Sequence, residues 1–248
     1  MRTDNHVTPL PPIQRFLDEI KQTLSKSSNI ELFEVDIATL GPACLKTFNG
    51  IMSIDGANGW FDLLEKTGEE LSPWLKTRLR RRPRKTLDEV RQLQAQRIEL
   101  QTQALDIWRE SGGYWDTPDS KARKGERTLD VLICPPAPHP VPPIDSYNTS
   151  NYTSLFNLLD WPCGVLPIRT FNEGELQGEV EGSKPLNGWD KYNRELWTNV
   201  DRKVYLGSAM NLQVVAPRLM ERKLVESMTI LDDALREGNG GSSRLSKL

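Results

Sequence analysis

The sequence predicts an α/β chain with a small mixed sheet flanked by helices. Three observations carry that expectation. Leu129–Ile168 reads in order as strand, extended crossing, helix and strand. Leu212–Ala216 is a further β-branched run, and a long helical stripe follows it. Elsewhere the apolar residues recur at helical spacing, so helices should outnumber strands.

Residues 1–12 are polar and tipped by prolines, and are expected to form a loose lead-in. Pro11 and Pro12 suit a first helical turn, where a missing N–H costs nothing. Ile13, Phe16, Leu17, Ile20 and Leu24 then make one apolar stripe. Ser27–Asn29 breaks it, and Ile30–Ile37 alternates apolar and acidic residues as a strand does. Ala43, Leu45, Phe48, Ile51 and Met52 support a helix to about residue 54. Trp60, Phe61, Leu63 and Leu64 are expected core anchors. Gly50, Gly56 and Gly59 match no dinucleotide or phosphate-loop spacing.

Arg78–Lys85 is a basic run. It reads as a solvated linker, against the competing reading of a nucleic-acid patch or import signal. Thr86 and Glu89 have capping-box spacing and open a helix to Glu110, with Leu87, Val90, Leu93, Ile98, Leu105 and Trp108 as its expected apolar face. Gly112–Gly113 ends it, and Asp116–Arg127 reads as a surface loop.

The apolar run Leu129–Cys134 stops at a double proline, as a buried strand would. Pro135–Pro143 must be extended, because each proline fixes φ and removes a donor. Tyr152, Leu155, Phe156 and Leu159 share a helical face halted before Pro162, and Gly164–Ile168 is the next strand. Such a crossover joins strands running the same way. Residues 169–200 read as a long excursion with an aromatic-anchored helical piece at Trp189, Tyr192 and Trp197. After Leu212–Ala216, Pro217 is expected to start a last helix to about Arg236. Residues 13–236 would then form the domain, and 237–248 a flexible tail.

Composition narrows the function classes. A net charge of -2 supplies no global attraction for nucleic acid or an anionic membrane. No stretch is long and apolar enough to span a bilayer, and no signal peptide is visible, so a cytoplasmic setting is expected. Three dispersed cysteines fit a reducing compartment. Cys134, His139 and Cys163 are the candidates for a zinc site or a cysteine nucleophile. The stiff prolines between the first two favour a plainer reading, in which both cysteines are small buried hydrophobes at strand ends. Gly240–Ser243 (GGSS) lies beyond the last helix, where nothing folded could brace a nucleophile.

Several stretches together resemble the amidase signature family, in the eukaryotic branch of fungal acetamidases and fatty acid amide hydrolase. They are LFNLLDWPCGVLPI at 155–168 and YLGSAMNLQVVAPRLMERKLVESMTILDDAL at 205–235. PPIQRFLDEIKQTL at 11–24, LDVLICPPAPHPVPPID at 129–145 and LWTNVDRKVYLGSAMNLQVVAP at 196–217 agree with them in order and spacing. The resemblance implies an α/β/α layering around a mixed sheet. It also implies hydrolysis of carboxamides by a serine nucleophile, a second serine and a lysine, with no metal or organic cofactor.

In the family those three groups precede the helix that Pro11–Leu24 resembles. The resemblance therefore carries no catalytic residue onto this chain. It implies a C-terminal portion whose pocket-wall candidates are Thr153, Asn157, Asp160, Gly207, Ser208 and Met210. A small-molecule amide would be its substrate only together with the catalytic portion, which a signature-bearing partner chain could supply. The expected origins are a truncated gene product, one piece of a split enzyme, or a non-catalytic binding protein reusing the fold.

Overall fold

A computed structural model describes residues 3–113, 128–180, 182 and 184–238. The helices are α1 (Pro11–Leu24), α2 (Gly41–Met52), α3 (Asn58–Thr67), α4 (Pro73–Lys76), α5 (Leu87–Glu110), α6 (Asn151–Leu159), α7 (Gly188–Thr198) and α8 (Glu221–Gly238). The strands are β1 (Leu132–Cys134), β2 (Cys163–Thr170) and β3 (Ala209–Val215). The expected surface loop at 116–127 and most of the expected tail lie outside the described residues.

The sheet order is β1-β3-β2, and both pairings are antiparallel. β1 and β2 therefore run the same way, as their crossover requires, but β3 sits between them. The expected layering stands, with antiparallel rather than mixed pairing. The reason lies at the excursion's ends. Phe171 N–H donates to Ser208 O at 2.7 Å and Gly207 N–H to Phe171 O at 2.9 Å, so β3 returns directly alongside β2. Pro167 interrupts the β2 register by a bulge before Arg169. An end strand tolerates that proline because its missing N–H breaks no central ladder.

β3 is buried on both faces. Leu212 and Val214 join α1 and α8 in one core, with Phe16, Ile20, Leu24, Leu224 and Leu231. Val215 joins the opposite core of α2, α5 and α6, with Cys44, Leu100, Trp108, Leu155 and Phe156. The period of two in a strand distributes these residues to opposite layers.

Several expectations are corrected. Residues 30–36 are extended but are not one of the sheet's strands. Their alternation serves packing instead, because Ile30 and Leu32 lean on one core while Val35 lies in the other. α3 buries no residue, and Trp60 and Leu63 are exposed. The α5 face only partly matches the expected stripe: Trp108 is buried as expected, but Leu100 and Ala104 are buried beside it while Leu87 and Ile98 are exposed. Its capping box is present as expected. α8 begins at Glu221 rather than Pro217, since Leu219 adopts a φ of 67° that no helix allows.

The lead-in is anchored rather than loose. Val7 and Leu10 are fully buried, and Tyr152 Oη donates to Val7 O at 3.1 Å. Asp4 accepts from His6 N–H and Val7 N–H, while Leu10 N–H donates to Pro138 O.

Candidate functional site

The six wall candidates sort along the sheet axis. β1 ends, β3 begins and α6 starts at one end of the sheet, which the proline-rich crossing caps. Met210 lies there, in a cleft of about 200 Å³ bounded by Pro135, His139, Val141 and Asn148. The turn Gly207–Ser208 leads into the same end of β3. Gly207 holds φ at 79°, a conformation natural to glycine, and the Ser208 hydroxyl is buried without a hydrogen-bond partner among the described residues. Thr153 is in the first turn of α6.

Asn157 and Asp160 belong to the other end. Asp160 caps α6 in the left-handed region and pairs with Arg218, just past β3, at 3.0 Å. Val215, at that end of β3, is five residues from Met210, or roughly 17 Å along an extended strand. The fold thus brings Gly207, Ser208 and Met210 to the capped end, with Thr153 at the same level, and leaves Asp160 far from them.

His139 is buried under the crossing. Nδ1 lies 2.8 Å from Pro140 O, and Thr149 N–H donates to Nε2 at 3.3 Å. Those partners assign a neutral ring with the proton on Nδ1. Burial pushes its pKa below the ordinary value, and the contact with Pro140 O opposes that only in part. Both nitrogens are engaged, so the ring ties the crossing to the start of α6 and is not free to act as a base.

Cys134 accepts from Gln213 Nε2 at 3.2 Å, and burial pushes its thiol up to about 11. Cys163 contacts Trp161 O at 3.4 Å. The two cysteines stand on β1 and β2 with β3 between them, their backbones roughly 12 Å apart by strand spacing, and Cys163 is exposed rather than buried. Among the described residues no group of three or more His, Cys, Asp or Glu side chains is placed to hold a metal ion. Neither the zinc nor the nucleophile arrangement is assembled.

Residues 30–36 run beside β1, and two grooves of about 330 and 640 Å³ flank them. Leu32, Phe33, Val35 and Ile133 line both, and Lys21, Glu34 and Asp36 add charge to the larger. Both grooves mix apolar side chains with polar ones, among them Asn29, Glu31 and Asp130 in the smaller. The basic run is also more than a solvated linker: Arg81 pairs with Asp62 and Glu65, each at 2.8 Å, and Arg78 lies among aromatic rings. Sequence reasoning missed those partners, because no short-range spacing announces them.

Among known proteins, the chain is 31% identical over 240 residues to an amidase of Gibberella zeae, covering 95% of this chain and 42% of that one. It is 26% identical to the acetamidase of Aspergillus oryzae, covering 89% of this chain and 38% of that protein. It therefore spans about two fifths of the length of these relatives. A solved structure of fatty acid amide hydrolase superposes with a TM-score of 0.72 at 19% identity, over 95% of this chain and 39% of that one. That likeness shows the fold. No helix among the described residues is long and apolar enough to cross a membrane. The Amidase family model matches residues 1–225, and with the layered fold and the ordered motifs it establishes that the chain belongs to the amidase family.

Proposed function

We propose that this chain supplies the framework portion of an amide hydrolase that converts a carboxamide to a carboxylic acid and ammonia or an amine. In this reading it supplies one wall of the substrate pocket, and the serine–serine–lysine machinery comes from the catalytic portion. The observation that carries the proposal is the family match over a chain spanning about two fifths of its relatives. The proposed wall is Thr153, Gly207, Ser208 and Met210 at the capped end, with Asn157 and Asp160 at the far end of α6, where Asp160 pairs with Arg218. The unpaired cysteines Cys44, Cys134 and Cys163 favour a reducing, cytoplasmic setting.

The chain alone should hydrolyse no amide, since losing a nucleophile and its base together costs several orders of magnitude. The test measures ammonia release from acetamide and a long-chain primary amide. The purified chain is assayed alone, then co-expressed with the signature-bearing portion of the Gibberella zeae relative. Activity only in the second arm supports the proposal, and turnover by the chain alone refutes it. A split enzyme predicts co-purification of the two portions. A non-catalytic binding protein predicts a stable monomer that ignores the added portion.

A further inference from the structure

Four aromatic side chains from three parts of the fold cluster together, and three of them face one cation. Trp74 comes from α4, Tyr147 from the stretch before α6, and Trp189 and Tyr192 from α7. The Arg78 guanidinium carbon lies 4.0 Å from the Trp74 ring centre, 4.6 Å from Tyr192 and 4.7 Å from Trp189. The rings also hold one another. Trp74 meets Tyr147 edge-on at 5.9 Å and Tyr192 at 6.1 Å. Tyr147 contacts Trp189 at 5.8 Å and stacks on Tyr192 at 6.0 Å. These ring–ring contacts do not involve Arg78, so the box is preorganised without it.

Among the described residues Arg78 forms no ion pair, and its Nε is buried without a hydrogen-bond partner. Arg81, three residues on, shows the contrast with its two carboxylates. Ring faces attract the Arg78 guanidinium, and ring faces favour weakly hydrated cations over a strongly hydrated ammonium. Trp189 and Tyr192 remain 37% and 39% exposed, so the box is open to solvent on the α7 side.

We propose that this box is a cation-recognition site with Arg78 as its built-in, displaceable occupant, and that it accepts guanidinium or quaternary ammonium groups from outside the chain. Filling it from outside would release Arg78 and the basic run after it, which Arg81 would still hold near α3, while Trp74 keeps its ring contacts in the box. The site is independent of the amidase reading, because it uses none of the proposed wall residues.

The full chain is titrated with tetramethylammonium chloride against sodium chloride of equal ionic strength, read by tryptophan fluorescence and by the Arg78 Nε–Hε resonance. Ring currents should displace that resonance in the unliganded chain. Tetramethylammonium should return it to the ordinary arginine position along a saturable curve, with half-saturation in the millimolar range. In Arg78→Ala the fluorescence curve should saturate at about tenfold lower concentration, because the resident competitor is gone. Tyr192→Ala should abolish saturation. Curves indistinguishable from sodium chloride, or equal half-saturation in the native chain and Arg78→Ala, overturn the proposal. Should Arg78→Ala fail to unfold cooperatively, Arg78→Lys decides the matter: a more hydrated occupant must lower the half-saturation point, and an unchanged value overturns it.

Discussion

Replacing Asp190 with alanine should remove one of the buried fastenings that hold the lead-in to the rest of the chain. Asp190 is fully buried on α7. Its carboxylate accepts from Thr8 N–H at 2.8 Å, from Leu186 N–H at 2.9 Å and from Arg194 Nε–H at 3.0 Å. Alanine strands two backbone donors and one guanidinium whose side chain is only 13% exposed. Breaking a buried pair by deleting one partner costs about 3–5 kcal/mol, most of it the penalty of the orphaned charge. Arg194 keeps one hydrogen bond, to Gly182 O at 2.8 Å, which places the expected loss near 3 kcal/mol rather than 5. Against a typical total of about 5–15 kcal/mol that is a large fraction. It should lower the urea midpoint by about 1–2 M for a chain of this size. Urea denaturation followed by tryptophan fluorescence reads it directly. Arg194→Met in the Asp190→Ala background should recover about 1–2 kcal/mol, because the uncompensated cation is gone. A loss below about 1 kcal/mol, or no recovery in the double variant, would refute the reasoning.

The remaining expectations are separable. His139 has its pKa depressed in the folded chain, so the native state takes up fewer protons than the unfolded one. Its contribution is complete above about pH 6.5 and declines as pH falls below that value; urea midpoints measured down to about pH 5 should show this slope, and His139→Asn should flatten it. Gly113→Ala would place a Cβ 2.0 Å from Trp108 Nε1, within a rigid ring that is itself wedged edge-on against Trp161, and should cost about 3 kcal/mol by thermal unfolding. Gly164→Ala meets the flexible Met228 thioether at 2.1 Å instead, so it should cost about 1 kcal/mol, relieved by Met228→Ala. Thr86→Ala removes the acceptor for Glu89 N–H at the start of α5 and should cost about 1 kcal/mol, an effect a Thr86→Ser control should largely spare.

Local chemistry made much of this chain readable before its structure. Pro11–Pro12 announced α1, Thr86 with Glu89 announced α5, and Pro162 stopped the α6 stripe, because caps and prolines act within a few residues. The ordered motifs from 11 to 235 made the family legible, and the family model and relatives agree. Burial was the weaker reading wherever periodicity alone was available. α3 carries a good apolar stripe around Trp60 and Leu63, yet no element covers it among the described residues. On α5, packing against α2 and α6 buried Leu100 and Ala104 beside Trp108 and left the equally apolar Leu87 and Ile98 exposed.

The sequence by itself determined the starts of α1 and α5, the stop of α6, the runs that became β1, β2 and most of β3, and which family the chain resembles. Each of those follows from neighbours in the chain or from ordered motifs. Only the tertiary structure decided that β3 lies between β1 and β2, and that Asp160 stands far from Met210. It also decided that Asp190 fastens Thr8 from 182 residues away and that Arg78 sits in an aromatic box. Those contacts join residues that sequence spacing does not relate, and they form because buried polar groups and desolvated cations must find partners wherever the fold places them.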